Sequence, residues 1–330
     1  MTSKPERVVM IGVGGDSGCG KSTFLRRLSD LFSKSLITVI CLDDYHSLDR
    51  KQRKETGITA LDPRANNFDL MAEQLKALKG GQAIDKPIYN HETGLLDPPE
   101  VIEPNHIIIV EGLHPFYDER VRNLMDFKVY FDLSDTIKIQ WKMQRDMAER
   151  GHTREEVMLA INSRKPDFEA YIDPQKKFAD VILEILPSDL PEKEGGNKVV
   201  KARMVQKDGI PYYEPAYIFD RAISDLCWRP KFPNSHPEIT FCYGRTDYYG
   251  APASYLSIDG EFVPSDAPNV EEKLLNTSEK EYGELSSLLL KHTDYPGSND
   301  GTGFFQVLMG LKLRAIYEAL TSQAPVGAKK

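Results

Sequence analysis

The sequence predicts an α/β fold with a doubly wound, mostly parallel sheet that strands from the C-terminal half extend into a mixed sheet. Three observations predict it. Short apolar runs alternate with helical patterns through the first half of the chain, as parallel strands with crossover helices require. A glycine-rich loop joins the first run to the first helical pattern. After the polar stretch at 187–197, apolar runs follow one another as they do in hairpins.

Apolar runs predict five strands in the first half, at Arg7–Val13, Leu36–Leu42, His106–Gly112, Phe127–Leu133 and Ala179–Leu186. Apolar residues at helical spacing predict helices in KSTFLRRLSDLFS, NNFDLMAEQLKALKGG, TIKIQWKMQRDMAERG and TREEVMLAINSRKPDFEAYI. Because these patterns alternate, the strands should lie parallel with helices on both faces of the sheet.

The second half predicts an extension of the same sheet. Strand-like runs occur in KVVKARMVQ, EPAYIFD, EITFCYG and ASYLSIDG, and helical patterns follow at 270–291 and 304–320. We therefore expect a single domain over 1–330, with a nucleotide- and substrate-binding core at 1–190, a β-rich extension at 191–265 and C-terminal helices at 266–330.

Composition excludes several classes of protein. The net charge of −8 argues against a nucleic-acid-binding or membrane-surface protein. No apolar run approaches the roughly 18 residues that a membrane helix needs. The N-terminal stretch lacks the apolar segment of a signal peptide, so we expect a cytoplasmic protein. With four cysteines in 330 residues, a disulfide would be regulatory rather than a scaffold.

The loop after the first strand fits the phosphate-binding pattern G-x-x-x-x-G-K-[ST]. In this pattern backbone N–H groups and the helix N-terminus hold nucleotide phosphates. Lys21 would reach the outer phosphates, and Ser22 would bind Mg²⁺ together with ATP. The alternative, a chance glycine-rich turn, does not explain the strand before the loop and the helix after it. The predicted nucleotide-binding residues are Gly15, Asp16, Ser17, Gly18, Cys19, Gly20, Lys21, Ser22 and Thr23.

Two further features concern the nucleotide and its metal ion. The pair Asn197-Lys198 is followed by two valines rather than the x-D of a guanine-binding motif, which disfavours a GTPase. Glu111 ends a predicted strand where Mg²⁺ or its water shell would lie, and it is our second candidate ligand. The alternative is an ordinary carboxylate at a strand end.

The stretch CLDDYHSLDR follows the second strand and should lie at the sheet edge where open α/β folds bind ligands. A kinase that acts on a hydroxyl needs a carboxylate to accept the hydroxyl proton. Asp43 is our candidate for this base, and Asp44 is the competitor. A solvated acidic turn is the alternative to both. Tyr89 and His91, in DKPIYNHETG, are candidates for contacts with sugar hydroxyls or a phosphate, although surface loops often look similar.

The segment KMQRDMAERGHTRE at 142–155 places several cations along one predicted helix. Such a segment is usually a solvated helix face. Here it follows the fourth strand, where small-molecule kinases carry a lid whose arginines neutralise the transferring phosphoryl group. Arg145 and Arg150 are therefore predicted to be catalytic, together with Lys21 and Asp43.

These motifs resemble the phosphoribulokinase family. The segment at 142–155 fits the family signature, and LDDYHSLDR, PIYNHETG, VEGLHPFYDERV and RKPDFEAYIDPQK resemble its oxygenic branch, which is found in cyanobacteria, algae and plants. The resemblance runs along nearly the whole chain. It implies a P-loop kinase core and the ATP-dependent phosphorylation of D-ribulose 5-phosphate in the Calvin-Benson cycle. It also implies a homodimer.

Carried over position by position, the resemblance makes Asp43 the catalytic base. It also implies a set of residues in contact with the sugar phosphate or an effector, namely Asp43, His46, Arg50, Tyr89, His91, Lys142, Arg145 and Arg164. Arg164 matches a cation that part of the family ties to the sensing of substrate or effector.

Two cysteines flank the catalytic elements, and we predict that they form a reversible inhibitory disulfide. Cys19 lies in the phosphate loop and Cys41 lies two residues before Asp43. The alternative is two buried, inert thiols. In the sheet that the resemblance implies, another strand separates the first and second strands, so oxidation would require the loop to move. Thioredoxin would then restore activity.

A second cysteine pair departs from the family pattern. The oxygenic branch usually has closely spaced cysteines in its C-terminal half, whereas WRPKFPNSHPEITF separates Cys227 from Cys242. The spacing leaves open whether they pair through a hairpin. The departure argues against the complex with glyceraldehyde-3-phosphate dehydrogenase and its small scaffold protein that the resemblance otherwise implies.

Two rival interpretations remain from the sequence. A uridine or pantothenate kinase would share the loop and the aspartate after the second strand, but it would not need the helix at 142–155. A nucleotide-sensing scaffold without catalysis predicts a degraded base or lid, whereas Lys21, Ser22, Asp43 and Arg145 are all present.

Overall fold

The computed structural model of the chain describes residues 5–31, 36–190, 199–215, 225–229, 239–261 and 301–322. Its strands are β1 (Val9–Gly15), β2 (Ile37–Cys41), β3 (Ile84–Tyr89), β4 (Leu96–Ile102), β5 (Ile107–Gly112), β6 (Phe127–Leu133), β7 (Val181–Pro187), β8 (Val200–Lys207), β9 (Asp225–Trp228), β10 (Thr240–Tyr248) and β11 (Ala251–Asp259). Its helices are α1 (Lys21–Leu31), α2 (Arg50–Thr56), α3 (Phe68–Lys79), α4 (Glu119–Arg122), α5 (Asp135–Arg150), α6 (Arg154–Asp167) and α7 (Gly301–Ser322).

Nine strands form one sheet in the order β2-β5-β1-β6-β7-β8-β11-β10-β9. The first five are parallel to one another. From β7 onward each neighbouring pair is antiparallel. The predicted parallel sheet with a C-terminal mixed extension is therefore confirmed. The finer division of 1–330 into three parts stays a prediction.

The two faces of the sheet are covered by different helices. Val9, Ile11 and Val13 of β1 point to one face, where α1 and α7 supply Phe24 and Phe304. The alternate residue Met10 points to the other face, where α3 packs its apolar side. Because β1 is buried along its whole length, it reads in the sequence as a continuous apolar run.

The five strands predicted in the first half are all present, and β6 has the predicted bounds. The sequence missed the two-stranded sheet of β3 and β4, whose DPPE segment carries adjacent prolines and lies exposed. It also missed the short helix α2. The expected helix at 270–291 lies outside the described residues, as do positions 216–220 of the expected strand EPAYIFD. Within the described residues, no helix combines the length and apolarity needed to cross a membrane.

The four cysteines are in two different states. Cys227 and Cys242 face each other across β9 and β10 and form a disulfide with an S–S distance of 2.09 Å. The sequence left this pairing open. Cys19 and Cys41 are free thiols, and Cys19 is buried. The strand β5 lies between β1 and β2, as the resemblance implies, so a Cys19–Cys41 disulfide would require the loop to move.

Candidate active site

The phosphate loop joins β1 to α1 with backbone conformations that suit only glycine. Gly15 has φ of 146°, and a Cβ there would lie 2.6 Å from the Phe131 carbonyl oxygen. Gly18 and Gly20 have φ of 80° and 97°. Residues with a side chain rarely adopt such backbone angles. The glycines therefore let the loop turn tightly into the N-terminus of α1, where backbone N–H groups are available to an anion.

Lys21 lies within this loop. Its ammonium donates hydrogen bonds to the Gly15 and Asp16 carbonyl oxygens at 2.9 and 2.8 Å. Burial lowers the pKa of Lys21, but nearby negative groups, including Glu111 and Asp43, raise it above its ordinary value. The side chain therefore stays charged, which suits a group that contacts phosphates.

Asp16 connects the loop to α5. Its carboxylate accepts a hydrogen bond from Lys142 Nζ at 3.0 Å, and Lys138 Nζ lies 3.6 Å away. Burial raises the pKa of the Asp16 carboxyl, but the two lysines and the Ser17 N–H together lower it below its ordinary value. Lys142, predicted as a substrate contact, is thus also an ion-pair partner of the phosphate loop.

A cavity of about 620 Å³ opens at this loop. It gathers residues from the loop, the ends of β2 and β5, the β3–β4 turn, α5 and α7. The lining residues are Ser17, Gly18, Gly20, Lys21, Ser22, Thr23, Cys41, Asp43, His91, Glu111, Gly112, Leu113, Trp141, Lys142, Gln144, Arg145, Thr302 and Gln306. Six of the predicted site residues outside the loop line this wall, namely Cys41, Asp43, His91, Glu111, Lys142 and Arg145.

The two candidate bases have different surroundings. Asp43 lines the cavity. Asp44 accepts a hydrogen bond from the Tyr89 backbone N–H at 2.9 Å, and its other oxygen pairs with the Lys86 ammonium. Because both Asp44 oxygens hold the β3–β4 hairpin, the surroundings favour Asp43 as the group that meets a substrate.

The predicted metal ligands Ser22 and Glu111 both line the cavity. Glu111 lies at the end of β5, paired in register with Cys41 of β2. Burial raises the pKa of the Glu111 carboxyl, although Lys21 opposes the shift. One hydroxyl and one carboxylate beside a phosphate loop fit Mg²⁺, which typically takes few protein ligands and completes its shell with substrate phosphates and water.

Two of the predicted sugar-phosphate contacts, Tyr89 and His91, belong to the β3–β4 hairpin. Of these two, His91 lines the cavity. His46 Nδ1 lies 3.0 Å from Asn66 Oδ1, and burial lowers the pKa of His46. The Tyr89 hydroxyl accepts a hydrogen bond from Arg53 at 2.7 Å. The sequence analysis did not single out Arg53 or Lys86, because nothing local links them to the hairpin.

Arg50 begins α2 and binds the turn of the hairpin. Its guanidinium donates to the His91 carbonyl oxygen and, at 3.3 Å, to the Glu92 carbonyl oxygen. It therefore fixes the segment that carries His91. Its predicted contact with the sugar phosphate stays a prediction.

Arg145 of α5 lies over the phosphate loop. A Cβ at Gly18 would come 2.9 Å from Arg145 Nη1. Arg145 Nε also donates to Asp146 at 2.8 Å, which orients the guanidinium. Arg150 ends α5 before Gly151, which has φ of 69°. The Arg150 side chain lies outside the described part of the chain. Arg164 lies exposed on α6. Burial lowers the pKa of Lys142, and the positive charge of Arg164 adds to this shift.

The cavity wall also contains residues that the sequence analysis missed. Trp141 and Gln144 come from α5, and Thr302 and Gln306 come from α7. The last two are nearly three hundred residues from the loop in sequence, and no motif marks them. Only the packing of α7 beside α1 brings them to the site.

The two free cysteines have different surroundings. Cys19 Sγ is buried beneath it, 3.6 Å from Lys21 Nζ and beside Gly15. Cys41 lines the cavity. Burial raises the pKa of both thiols. Both are therefore poor nucleophiles in this conformation, because the thiolate is the reactive form.

Comparisons with known proteins identify relatives of this chain. The family described as "Phosphoribulokinase / Uridine kinase family" matches residues 10–191. A phosphoribulokinase from Synechocystis is 59% identical over 99% of this chain and 99% of that protein. A chloroplastic phosphoribulokinase from Mesembryanthemum crystallinum is 51% identical over 98% of this chain and 87% of that protein. A phosphoribulokinase structure from Rhodobacter spheroides has a TM-score of 0.50 at 17% identity, covering 66% of this chain and 88% of that one.

Proposed function

The chain belongs to the phosphoribulokinase / uridine kinase family, and on that premise we propose that it phosphorylates D-ribulose 5-phosphate with ATP. The product is ribulose 1,5-bisphosphate, a step of carbon fixation in the Calvin-Benson cycle. One observation carries the proposal: a single cavity brings together the phosphate loop, the Asp43 carboxylate and the Arg145 guanidinium. The similarity to the Synechocystis protein over nearly the whole of both chains supports the choice of substrate.

The proposed reaction is a direct transfer. The C1 hydroxyl oxygen of the sugar attacks the γ-phosphorus, and the hydroxyl proton passes to the Asp43 carboxylate. A new O–P bond forms while the bond from the γ-phosphorus to the bridging oxygen breaks, and ADP leaves with that electron pair. Lys21, Arg145 and Arg150 offset negative charge on the transferring group.

Mg²⁺ accompanies ATP in this proposal, with Ser22 and Glu111 as its protein ligands. The ion would supply positive charge at the phosphate oxygens. Ser17, Gly18, Gly20 and Thr23 surround the phosphates with backbone and hydroxyl donors. Gly15, Asp16 and Cys19 shape the loop from below.

The sugar phosphate is proposed to lie against the hairpin and α5. His91, Lys142 and Arg145 line the cavity and would contact it directly. His46, Arg50 and Tyr89 support that wall through Asn66, the hairpin turn and Arg53. Arg164 would act at the outer edge, through its positive charge.

Regulation is proposed to work through a Cys19–Cys41 disulfide that thioredoxin reduces. Both cysteines adjoin the site, so their oxidation would distort the loop and the segment that carries Asp43. We also propose a homodimer that works in the cytoplasm, supported by the similarity to a cyanobacterial protein. An association with glyceraldehyde-3-phosphate dehydrogenase and a small scaffold protein has the least support of the proposed partnerships. The reason is that Cys227 and Cys242 are farther apart in sequence than the closely spaced pair that is usual in the oxygenic branch.

A coupled assay of ADP release tests the proposed function. Purified protein is given MgATP with ribulose 5-phosphate, with uridine, or with no acceptor. The proposal expects rapid ADP release only with ribulose 5-phosphate. Faster release with uridine would favour the other branch of the family. ATP binding without ADP release from any acceptor would favour a nucleotide-sensing scaffold.

A further inference from the structure

Gln306 is a buried polar residue that the reaction described above does not use. Its side chain is 3% exposed, and its Oε1 has no hydrogen-bond partner among the described residues. It nevertheless forms part of the cavity wall. An unpaired buried amide oxygen destabilises a protein, and a ligand in the cavity would supply the missing partner.

The position of α7 indicates which part of a ligand would reach Gln306. Asp43 follows β2 and Glu111 lies at the end of β5, and both strands are on one side of the loop strand β1. The helix α7 packs on β8 and β11, on the other side of β1 in the sheet order. With the nucleotide phosphates in the loop, the sugar phosphate meets the Asp43 side. The rest of the nucleotide then extends toward α7.

The start of α7 is held firmly in place. A Cβ at Gly301 would lie 2.7 Å from the Ile258 Cβ and 3.0 Å from the Ala202 Cβ, so the helix meets the sheet with no space to spare. Phe304 and Phe305, which lie between the two cavity-lining positions in sequence, are buried in the core. Thr302 and Gln306 are one helical turn apart and share a face. The wall they form is therefore preorganised rather than adaptable.

The chemistry of this wall suits an adenine ring. A side-chain amide offers one donor and one acceptor, which match the 6-amino group of adenine and its neighbouring ring nitrogen. Among the residues that the structure describes, no hydrogen bond occupies Oε1, so this oxygen is available to a ligand. The Trp141 indole in the same cavity offers an apolar surface to the face of the ring.

We infer that Gln306 recognises the adenine base of the nucleotide, with its amide paired to the 6-amino group. This deepens the proposed function and depends on it only in requiring that the loop bind ATP. It makes the C-terminal helix a specificity-determining part of the nucleotide site. The residue would act on nucleotide binding and not on the sugar phosphate.

The experiment compares ATP with purine riboside triphosphate, which lacks the 6-amino group. Calorimetry without any acceptor gives the dissociation constants for the wild type, Gln306→Met and the control Gln82→Met, which makes the same chemical change at an exposed loop position. We expect the wild type and Gln82→Met to bind ATP about 5- to 150-fold more tightly than the analogue. This is the typical preference of a side chain with two hydrogen bonds to a base for that base over a wrong one. Gln306→Met should bind both equally, with a melting temperature near that of the wild type.

Equal binding of ATP and the analogue by the wild type would overturn the inference, even if no variant could be purified. So would a Gln306→Met protein that keeps the wild-type preference. Because no acceptor is present, these outcomes are independent of whether ribulose 5-phosphate is the substrate.

Discussion

The Asp16 carboxylate in the phosphate loop accepts a 3.0 Å hydrogen bond from the Lys142 ammonium on α5. The two residues are 126 positions apart in sequence, and both side chains are largely buried. The pair holds the loop against the helix that also carries Arg145. The phosphate loop and the helix that carries Arg145, the proposed phosphate-neutralising arginine, are therefore joined before any substrate binds.

Replacing Asp16 with asparagine should weaken this connection. The change leaves Lys142 and Lys138 close together without the negative charge between them. We expect the free energy of unfolding to fall by about 1.5–3 kcal/mol, as for the loss of a hydrogen bond to a charged group, and ATP binding to weaken. Urea unfolding and calorimetry measure the two effects. The control Asp135→Asn removes an acid that is 72% exposed beside the same Lys138 and should change neither. Equal stability of Asp16→Asn and wild type would show that the pair is dispensable.

Arg145→Ala should impair catalysis without unfolding the protein. The guanidinium lies over Gly18 and is partly exposed, so its loss removes little buried surface. An arginine that stabilises a phosphoryl-transfer transition state contributes about 10³-fold or more to turnover. Steady-state kinetics and thermal melts test this, with the exposed Arg154→Ala on α6 as the matched control. An Arg145→Ala protein with a much lower melting temperature but normal turnover per folded molecule would show that the residue is structural.

Oxidation should inactivate the enzyme through Cys19 and Cys41, and MgATP should slow this inactivation. Burial raises the pKa of both thiols, so the thiolate forms only when the loop opens, and a bound nucleotide disfavours opening. Activity is measured after oxidation and again after dithiothreitol in wild type, Cys19→Ser and Cys227→Ser. We expect wild type and Cys227→Ser to lose and regain activity, and Cys19→Ser to resist. Equal inactivation of wild type and Cys19→Ser would contradict the switch.

His114 should make the protein less stable in mild acid. It is 2% exposed, and burial lowers its pKa from 6.5 to about 4. The unfolded chain binds a proton at this residue below about pH 6.5, whereas the folded chain does so only near pH 4. Stability is therefore lost as the pH falls through this window. By pH 4.5 the loss reaches about 2–3 kcal/mol, at 1.36 kcal/mol per pKa unit.

His114→Gln is neutral at every pH and should flatten that part of the stability curve. Urea unfolding of wild type and His114→Gln at pH 7 and pH 4.5 gives, for each protein, the change in the free energy of unfolding between the two pH values. His46, whose pKa burial also lowers, leaves part of the loss in the variant. Parallel pH dependence of His114→Gln and wild type would contradict the assignment.

The parallel half of the fold could be predicted because its signals are local. A buried strand such as β6 is a continuous apolar run, and the loop from Gly15 to Ser22 has glycines at fixed spacing. The hairpin of β3 and β4 was missed because adjacent prolines disfavour a strand unless its N–H side lies at an edge.

The site could be predicted only where a motif is contiguous. Asp43 and Arg145 lie in such motifs, and both reach the cavity. Lys86 pairs with Asp44, and Arg53 binds Tyr89, only because the hairpin packs against the segment that runs from Asp44 to α2. The place of Gln306 in the cavity wall depends on the packing of α7 over the sheet. No local pattern records such long-range contacts, so only the structure identifies them.

The role of Asp43 in phosphorylating ribulose 5-phosphate is tested most directly by comparing Asp43→Asn with Asp44→Asn. Formation of ribulose 1,5-bisphosphate from MgATP and ribulose 5-phosphate is followed by phosphorus NMR, and ATP affinity is measured in parallel. We predict that Asp43→Asn lowers kcat by about 10²–10⁴-fold with ATP affinity intact, as for the removal of a general base. Asp44→Asn should mainly weaken sugar-phosphate binding and stability, because it removes the charge that pairs with Lys86 beside the hairpin. Full activity in Asp43→Asn, or a collapse of kcat in Asp44→Asn alone, would contradict the account.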